Sequence, residues 1–211
     1  MDTIPGFSEC LHDIQLEIAD IFDVYVYGSR IYGTNREDSD WDLMVILQDE
    51  SEFLPGGVTD KYFEVGIFDL TVMKLQTLVA QIEAHNMQRL ELIWSPVSGL
   101  MARDLKQFFH LDLKLLRTAV STISNKCMGY AKILWLKEED VAKSKKNIFH
   151  SIRYCLFGTQ IAVHGRIINY SVANQYLTEM MADNEEDWNQ INHRYGLIAR
   201  QMHKIFLSVL N

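Results

Sequence analysis

The sequence predicts a chain that is α/β (α+β) in its first part and all-α in its second. Three observations carry that expectation. Helical and strand-like apolar periods alternate over the first hundred residues. From about Leu100 onward the period is helical throughout. The 211 residues are 48% apolar and 11% aromatic, enough for one large or two small buried cores, which excludes disorder as the dominant state. The change of period falls near Ser95–Gly99 and divides the chain into 1–98 and 99–211.

Phe7 to Ile18 carries Leu11, Ile14 and Ile18 at helical spacing. Asp23 to Tyr27 is β-branched and aromatic and is stopped by Gly28, a short strand. Residues 29–40 are polar and turn-rich, and Trp41 to Leu47 reads as a strand buried on both faces. After the Pro55-Gly56-Gly57 turn, Tyr62 to Met73 reads as a third strand. Leu75 to His85 is helical, and Leu90 to Trp94 is a short apolar piece closed by Ser95-Pro96. Helices are expected near 101–110, 112–137, 143–165, 171–181 and 185–209, with Asp140 and Ser144 as N-cap candidates and Gly165 as a stop.

The formal charge of −8 is unevenly spread. Residues 1–100 carry −13, residues 101–170 carry +7, and residues 171–211 carry −2. An acidic front and a basic middle weaken the argument that an acidic chain avoids polyanions. No apolar run approaches the roughly 20 residues that span a bilayer. Met1-Asp2-Thr3-Ile4-Pro5 lacks a basic start and apolar stretch, so no signal peptide is expected. Cys10, Cys127 and Cys155 show no metal-like spacing, and a reducing, cytoplasmic location is the expectation.

The stretch that carries chemistry is Gly28-Ser29-Arg30-Ile31-Tyr32-Gly33-Thr34, followed by Ser39-Asp40-Trp41-Asp42-Leu43. Gly28 ends a strand where a missing Cβ lets another backbone or a phosphate approach closely. Ser29 would open a short helix whose free N–H groups suit a phosphate. Asp40 and Asp42 stand two apart at the start of a strand and so share a face. Two such carboxylates are costly without a cation, and magnesium suits their oxygens. Asp69, in an otherwise apolar strand, is the expected third carboxylate, and Glu64 a weaker candidate.

This pattern, GSxxxGTxxxxSDxDL with a later strand aspartate, resembles the signature of the DNA polymerase β-like nucleotidyltransferase superfamily. The resemblance implies a catalytic domain with a short mixed sheet, here 1–98, followed by an all-α domain, 99–211. It implies that Gly28 and Ser29 bind phosphate, and that Asp40, Asp42 and Asp69 are catalytic and hold two Mg²⁺ ions, with Mn²⁺ as an alternative. The implied reaction moves a nucleoside monophosphate from a nucleoside triphosphate to a hydroxyl and releases pyrophosphate. Leu90-Glu91-Leu92-Ile93-Trp94-Ser95-Pro96 is similar to a segment of the RlaP-type branch, which is associated with RNA repair. Gly129-Tyr130-Ala131-Lys132 and the Lys145 to Arg153 stretch are similar to that branch's helical half.

Arg30 is expected either at the phosphates or in a surface ion pair with Glu37 or Asp38. Lys146, His150 and Arg153 are expected on one helix face, toward a triphosphate or an RNA backbone, with Arg166 a weaker candidate; a solvated flank is the alternative. Trp135, Tyr154, Phe157 and Tyr170 read as core. The first functional expectation is transfer to an RNA end. The second keeps the chemistry with a protein or small-molecule acceptor. The third is a non-catalytic, nucleotide-binding, antitoxin-like module.

Overall fold

The computed structural model describes residues 4–97, 99–101 and 103–210. The expected absence of a signal sequence rests partly on Met1 to Thr3, and the expected domain boundary falls on Ser98; both lie outside the described residues. The chain divides into two compact units, 1–110 and 111–211.

Among the described residues the first unit is built on the strands β1 (Ile21–Val26), β2 (Trp41–Leu47), β3 (Asp60–Val65) and β4 (Phe68–Lys74). Their order is β1-β2-β4-β3, with β1/β2 and β3/β4 antiparallel and β2/β4 parallel. The sheet is therefore mixed and short. Leu43 to Leu47 of β2 are all buried, as expected of a central strand whose side chains alternate between two covered faces. Among the described residues the unit also holds the α-helices α1 (Phe7–Asp13), α2 (Ser29–Tyr32), α3 (Leu75–Glu83) and α4 (Met87–Ile93).

Several elements depart from the sequence expectation for identifiable reasons. The first helix stops at Asp13, just before Gln15 turns to φ 59°. The single strand expected over 62–73 is a hairpin, because Gly66 at φ 59° reverses the chain. The apolar piece at 90–94 is part of α4, whose start is capped by Asn86 accepting from the Gln88 N–H. The helix expected at 101–110 is reduced to one 3₁₀ turn, Lys106–Phe108. The N–H groups of Met101 and Arg103 donate instead to the Asp23 carboxylate, at 2.7 and 2.9 Å. Asp23 is fully buried, and with the Val24 N–H it accepts three backbone bonds. That ties Met101 and Arg103 to β1, with Leu100 N–H also bonded to the Val24 carbonyl.

The second unit is helical: α5 (Leu113–Leu136), α6 (Val141–His164), α7 (Asn174–Ala182), α8 (Trp188–Ile191) and α9 (Leu197–Ser208). Asp140 caps α6 by accepting from Lys143 N–H, and Gly165 ends it at φ 70°. Ser144 is not a cap; it is buried within α6 and donates to the Ala131 carbonyl. The expected long last helix is interrupted by a π-helical turn at Asn192–Gly196. Trp135, Tyr154, Phe157 and Tyr170 are buried, as expected. Among the described residues no helix is long and apolar enough to cross a membrane.

Candidate active site

The site follows from the register of three strands. Asp42 on β2 lies directly beside Asp69 on the parallel strand β4. Asp69 in turn faces Glu64 across the β3–β4 hairpin. The Tyr27 N–H donates to the Asp42 carbonyl at 3.0 Å, so Tyr27, Asp42, Asp69 and Glu64 form one row across the sheet. Directly paired residues project to the same face. The row therefore sets three carboxylates side by side. The Tyr62 phenol lies near Asp69 and Glu64. Burial and those two acids push it up from its ordinary range.

The turn before α2 completes the arrangement. Gly28 adopts φ 71°, ψ −147°, a conformation other residues rarely take. A Cβ at Gly28 would overlap the Asp42 carboxylate and fall 2.6 Å from its Cγ. The Ser29 N–H favours the charged form of that carboxylate.

Asp42 is a perturbed carboxyl. Burial raises its pKa to about 6, with the charges of Asp69 and Asp40 adding to the rise; the Ser29 N–H and Arg30 oppose it. Crowded negative charge of this kind is what a divalent cation relieves, and an all-carboxylate donor set suits magnesium. In that sense Asp42 and Asp69 fit a metal. Among the described residues, however, no three His, Cys, Asp or Glu side chains already converge as a metal site. Asp40 is exposed at the end of its loop, while Asp42 and Asp69 are half-buried.

Among the described residues Arg30 makes no ion pair with Glu37 or Asp38, and Asp38 pairs with Arg36 instead, at 3.4 Å. The Arg30 Nε donates to the Asp40 carbonyl at 3.3 Å and its Nη2 to the Ser39 carbonyl at 2.5 Å. Its guanidinium lies 3.9 Å from the centre of the Trp41 ring. It therefore clamps the loop that carries Asp40.

In the helical unit Lys146 is exposed, His150 is half-buried and Arg153 is buried. Arg153 lies among the rings of Phe149, Tyr154 and Phe157 and donates to His150 Nδ1 at 2.8 Å. Burial, then the charges of Arg153 and Lys146, hold His150 well below its ordinary pKa. Its ring is neutral at pH 7 and accepts from Arg153. Of the expected basic face, Lys146 is the solvated member. Arg166 is also exposed.

Sequence reasoning did not single out Tyr62 and Tyr27, and it ranked Glu64 below Asp69. The available signal was Gly66. Once Gly66-Ile67 is taken as a hairpin turn, Glu64 falls opposite Asp69 and Tyr62 lies two residues before it.

A model of the "Polymerase beta, Nucleotidyltransferase" family matches residues 12–140, more than half of the chain. Among solved structures, the nucleotidyltransferase-like protein from Exiguobacterium sibiricum aligns over 97% of this chain and 75% of its own, at 10% identity and a TM-score of 0.36. No curated protein matches the chain in sequence.

Proposed function

The chain belongs to the polymerase β nucleotidyltransferase family, and on that premise we propose that it transfers a nucleoside monophosphate from a nucleoside triphosphate to a hydroxyl on an RNA end. The observation that carries the reading is the in-register pair Asp42–Asp69 seated against the Gly28-Ser29 turn. Asp42 and Asp69, with Asp40 from the loop, are the residues that would hold two magnesium ions. The ions, when bound, supply charge neutralisation at the triphosphate and lower the pKa of the attacking hydroxyl.

The chain's own residues position the reaction. The acceptor oxygen bonds to the α-phosphorus as the bond from that phosphorus to the bridging oxygen breaks, and pyrophosphate leaves. Asp69 takes the hydroxyl proton. Asp42 sits in the space left by the missing side chain of Gly28, with its charged form favoured by the Ser29 N–H. Arg30 fixes the Asp40 loop through two carbonyls. Transfer of this type depends on positioning and charge neutralisation.

RNA as acceptor rests on the +7 of residues 101–170 and on the similarity of Leu90–Pro96 to the RlaP-type branch. The test is incubation of the chain with each labelled triphosphate and magnesium, with RNA, protein or no acceptor. Label on RNA, lost in Asp42→Asn and Asp69→Asn, is the expected result. Label on protein moves the acceptor to a side chain. Triphosphate binding without transfer to any acceptor, in wild type, overturns the enzymatic reading.

A further inference from the structure

The helical unit contains a cavity that the proposed transfer does not use. It measures about 350 Å³, a volume suited to a ligand of mononucleotide size. Lys132 of α5 and Arg200 and His203 of α9 line it, and none of its lining residues is acidic. That composition stands out in a chain with 28 acidic and 20 basic residues. Among the described residues, neither Lys132 nor Arg200 has a carboxylate within ion-pair distance, whereas Arg194 pairs with Asp183 and Arg36 with Asp38.

The wall is also built for hydrogen bonding. Ser124 and Ser151 are buried, line the cavity and bond to each other at 2.7 Å. The Ser121 hydroxyl meets His203 Nε2 at 2.9 Å and fixes that ring. Arg200 and His203, three apart, share a helix face. The π-helical turn contributes Asn192 and Gly196 to the lining. Such turns interrupt a helix at some cost and recur at functional sites. A Cβ at Gly196 would fall 3.1 Å from Asn192 Cγ and 3.4 Å from Arg200 Nη1, so the glycine leaves space for both side chains. Lys132 and Gly129 also give a role to the Gly129-Tyr130-Ala131-Lys132 stretch, since both line the cavity.

We propose that this cavity is a separate phosphate site, in which Lys132, Arg200 and His203 bind a phosphate monoester carried by a free mononucleotide or by the terminal nucleotide of an RNA. Three donors from two helices, in a cavity that Ser124 and Ser151 also line, match the oxygens of a phosphate dianion. The site does not rest on the chemistry proposed for the first unit.

The test is calorimetric titration of the full chain, with a chelator present and no divalent metal. The probes are inorganic phosphate, AMP, and a short RNA with and without a 5′-phosphate. Lys132→Ala and Arg200→Ala remove exposed side chains and should leave the fold intact; each is expected to weaken binding about tenfold. Gly196→Ala should weaken it by crowding Asn192 and Arg200. Asp42→Asn should bind as wild type, which separates this site from the transfer site. AMP binding that the lysine and arginine variants lose assigns a free nucleotide. Binding of the 5′-phosphorylated RNA alone, lost in the same variants, assigns an RNA end. No binding by any phosphate probe overturns the proposal. So does binding that persists in both basic variants or that Asp42→Asn alone abolishes.

Discussion

The Asp42 carboxylate occupies the space that a side chain at Gly28 would need: the first carbon of such a side chain would fall 2.6 Å from Asp42 Cγ. Gly28 is also held at φ 71°, ψ −147°. Two constraints therefore meet at one residue. Gly28→Ala must either change the turn or push Asp42 away from Asp69, and the strained backbone alone costs about 1–3 kcal/mol. The expected outcome is loss of nucleotide transfer with a chain that still folds, read by the transfer assay beside circular dichroism and thermal melting.

Asp42→Asn separates activity from stability. In the folded chain Asp42 titrates near 6 against an ordinary 3.8, so the native state holds more protons between those values. Stability of the metal-free protein therefore falls as pH rises through that window, and the penalty is complete above it. A shift of about two units corresponds to roughly 2.7 kcal/mol, which solvent screening of a half-exposed group reduces to about 1 kcal/mol. Asp42→Asn should gain about that much at pH 7 without metal, and nothing below the ordinary carboxyl pKa, while transfer is abolished. Urea denaturation at both pH values, with chelator, measures the difference.

Arg30 acts on Asp40 through the backbone. Its donors reach the carbonyls of Ser39 and Asp40, and its plane covers Trp41. A lysine provides a point charge and cannot form the same fork and stack. Arg30→Lys is expected to lower transfer about tenfold and stability by less than about 1 kcal/mol. Faster proteolysis within 34–40, with the melting temperature nearly unchanged, distinguishes a loosened loop from a damaged fold.

His150 gives the helical unit a pH response. The folded chain keeps this imidazole neutral well below its ordinary pKa, whereas the unfolded chain protonates it near 6.5. The unfolded state thus binds more protons in acid, and stability falls as pH drops below about 6.5 and is flat above it. His150→Asn places an acceptor where Nδ1 receives Arg153 but has no proton to gain. The wild type should lose stability relative to this variant between pH 6.5 and 5, measured by paired denaturation curves.

The order of elements, the GS turn and the spacing of Asp40 and Asp42 were legible in the sequence because each depends on neighbours within a few residues. Gly28 stops a strand, Trp41 to Leu47 is apolar enough to be central, and Asp140 and Gly165 bracket α6 by local rules. Asp69 was legible as an acid stranded among apolar residues. The hairpin was not, since Phe63 to Val72 is a nearly continuous apolar pattern and only the φ of Gly66 divides it. The 101–110 segment misled for the opposite reason: its local pattern is helical, but a carboxylate 78 residues earlier claims its N–H groups.

By itself the sequence determined the division into mixed and helical parts, the family pattern and the three aspartates, all of which are properties of chain-local periodicity and spacing. Only the tertiary structure decided that Asp42 lies beside Asp69 and Asp69 beside Glu64, because strand order and register are set by pairing between distant segments. It also decided that Arg30 serves the Asp40 loop and that Arg153 is buried against His150. Lys132, Arg200 and His203 meet at one cavity for the same reason: long-range packing of α5 and α9, which no periodicity within either helix encodes.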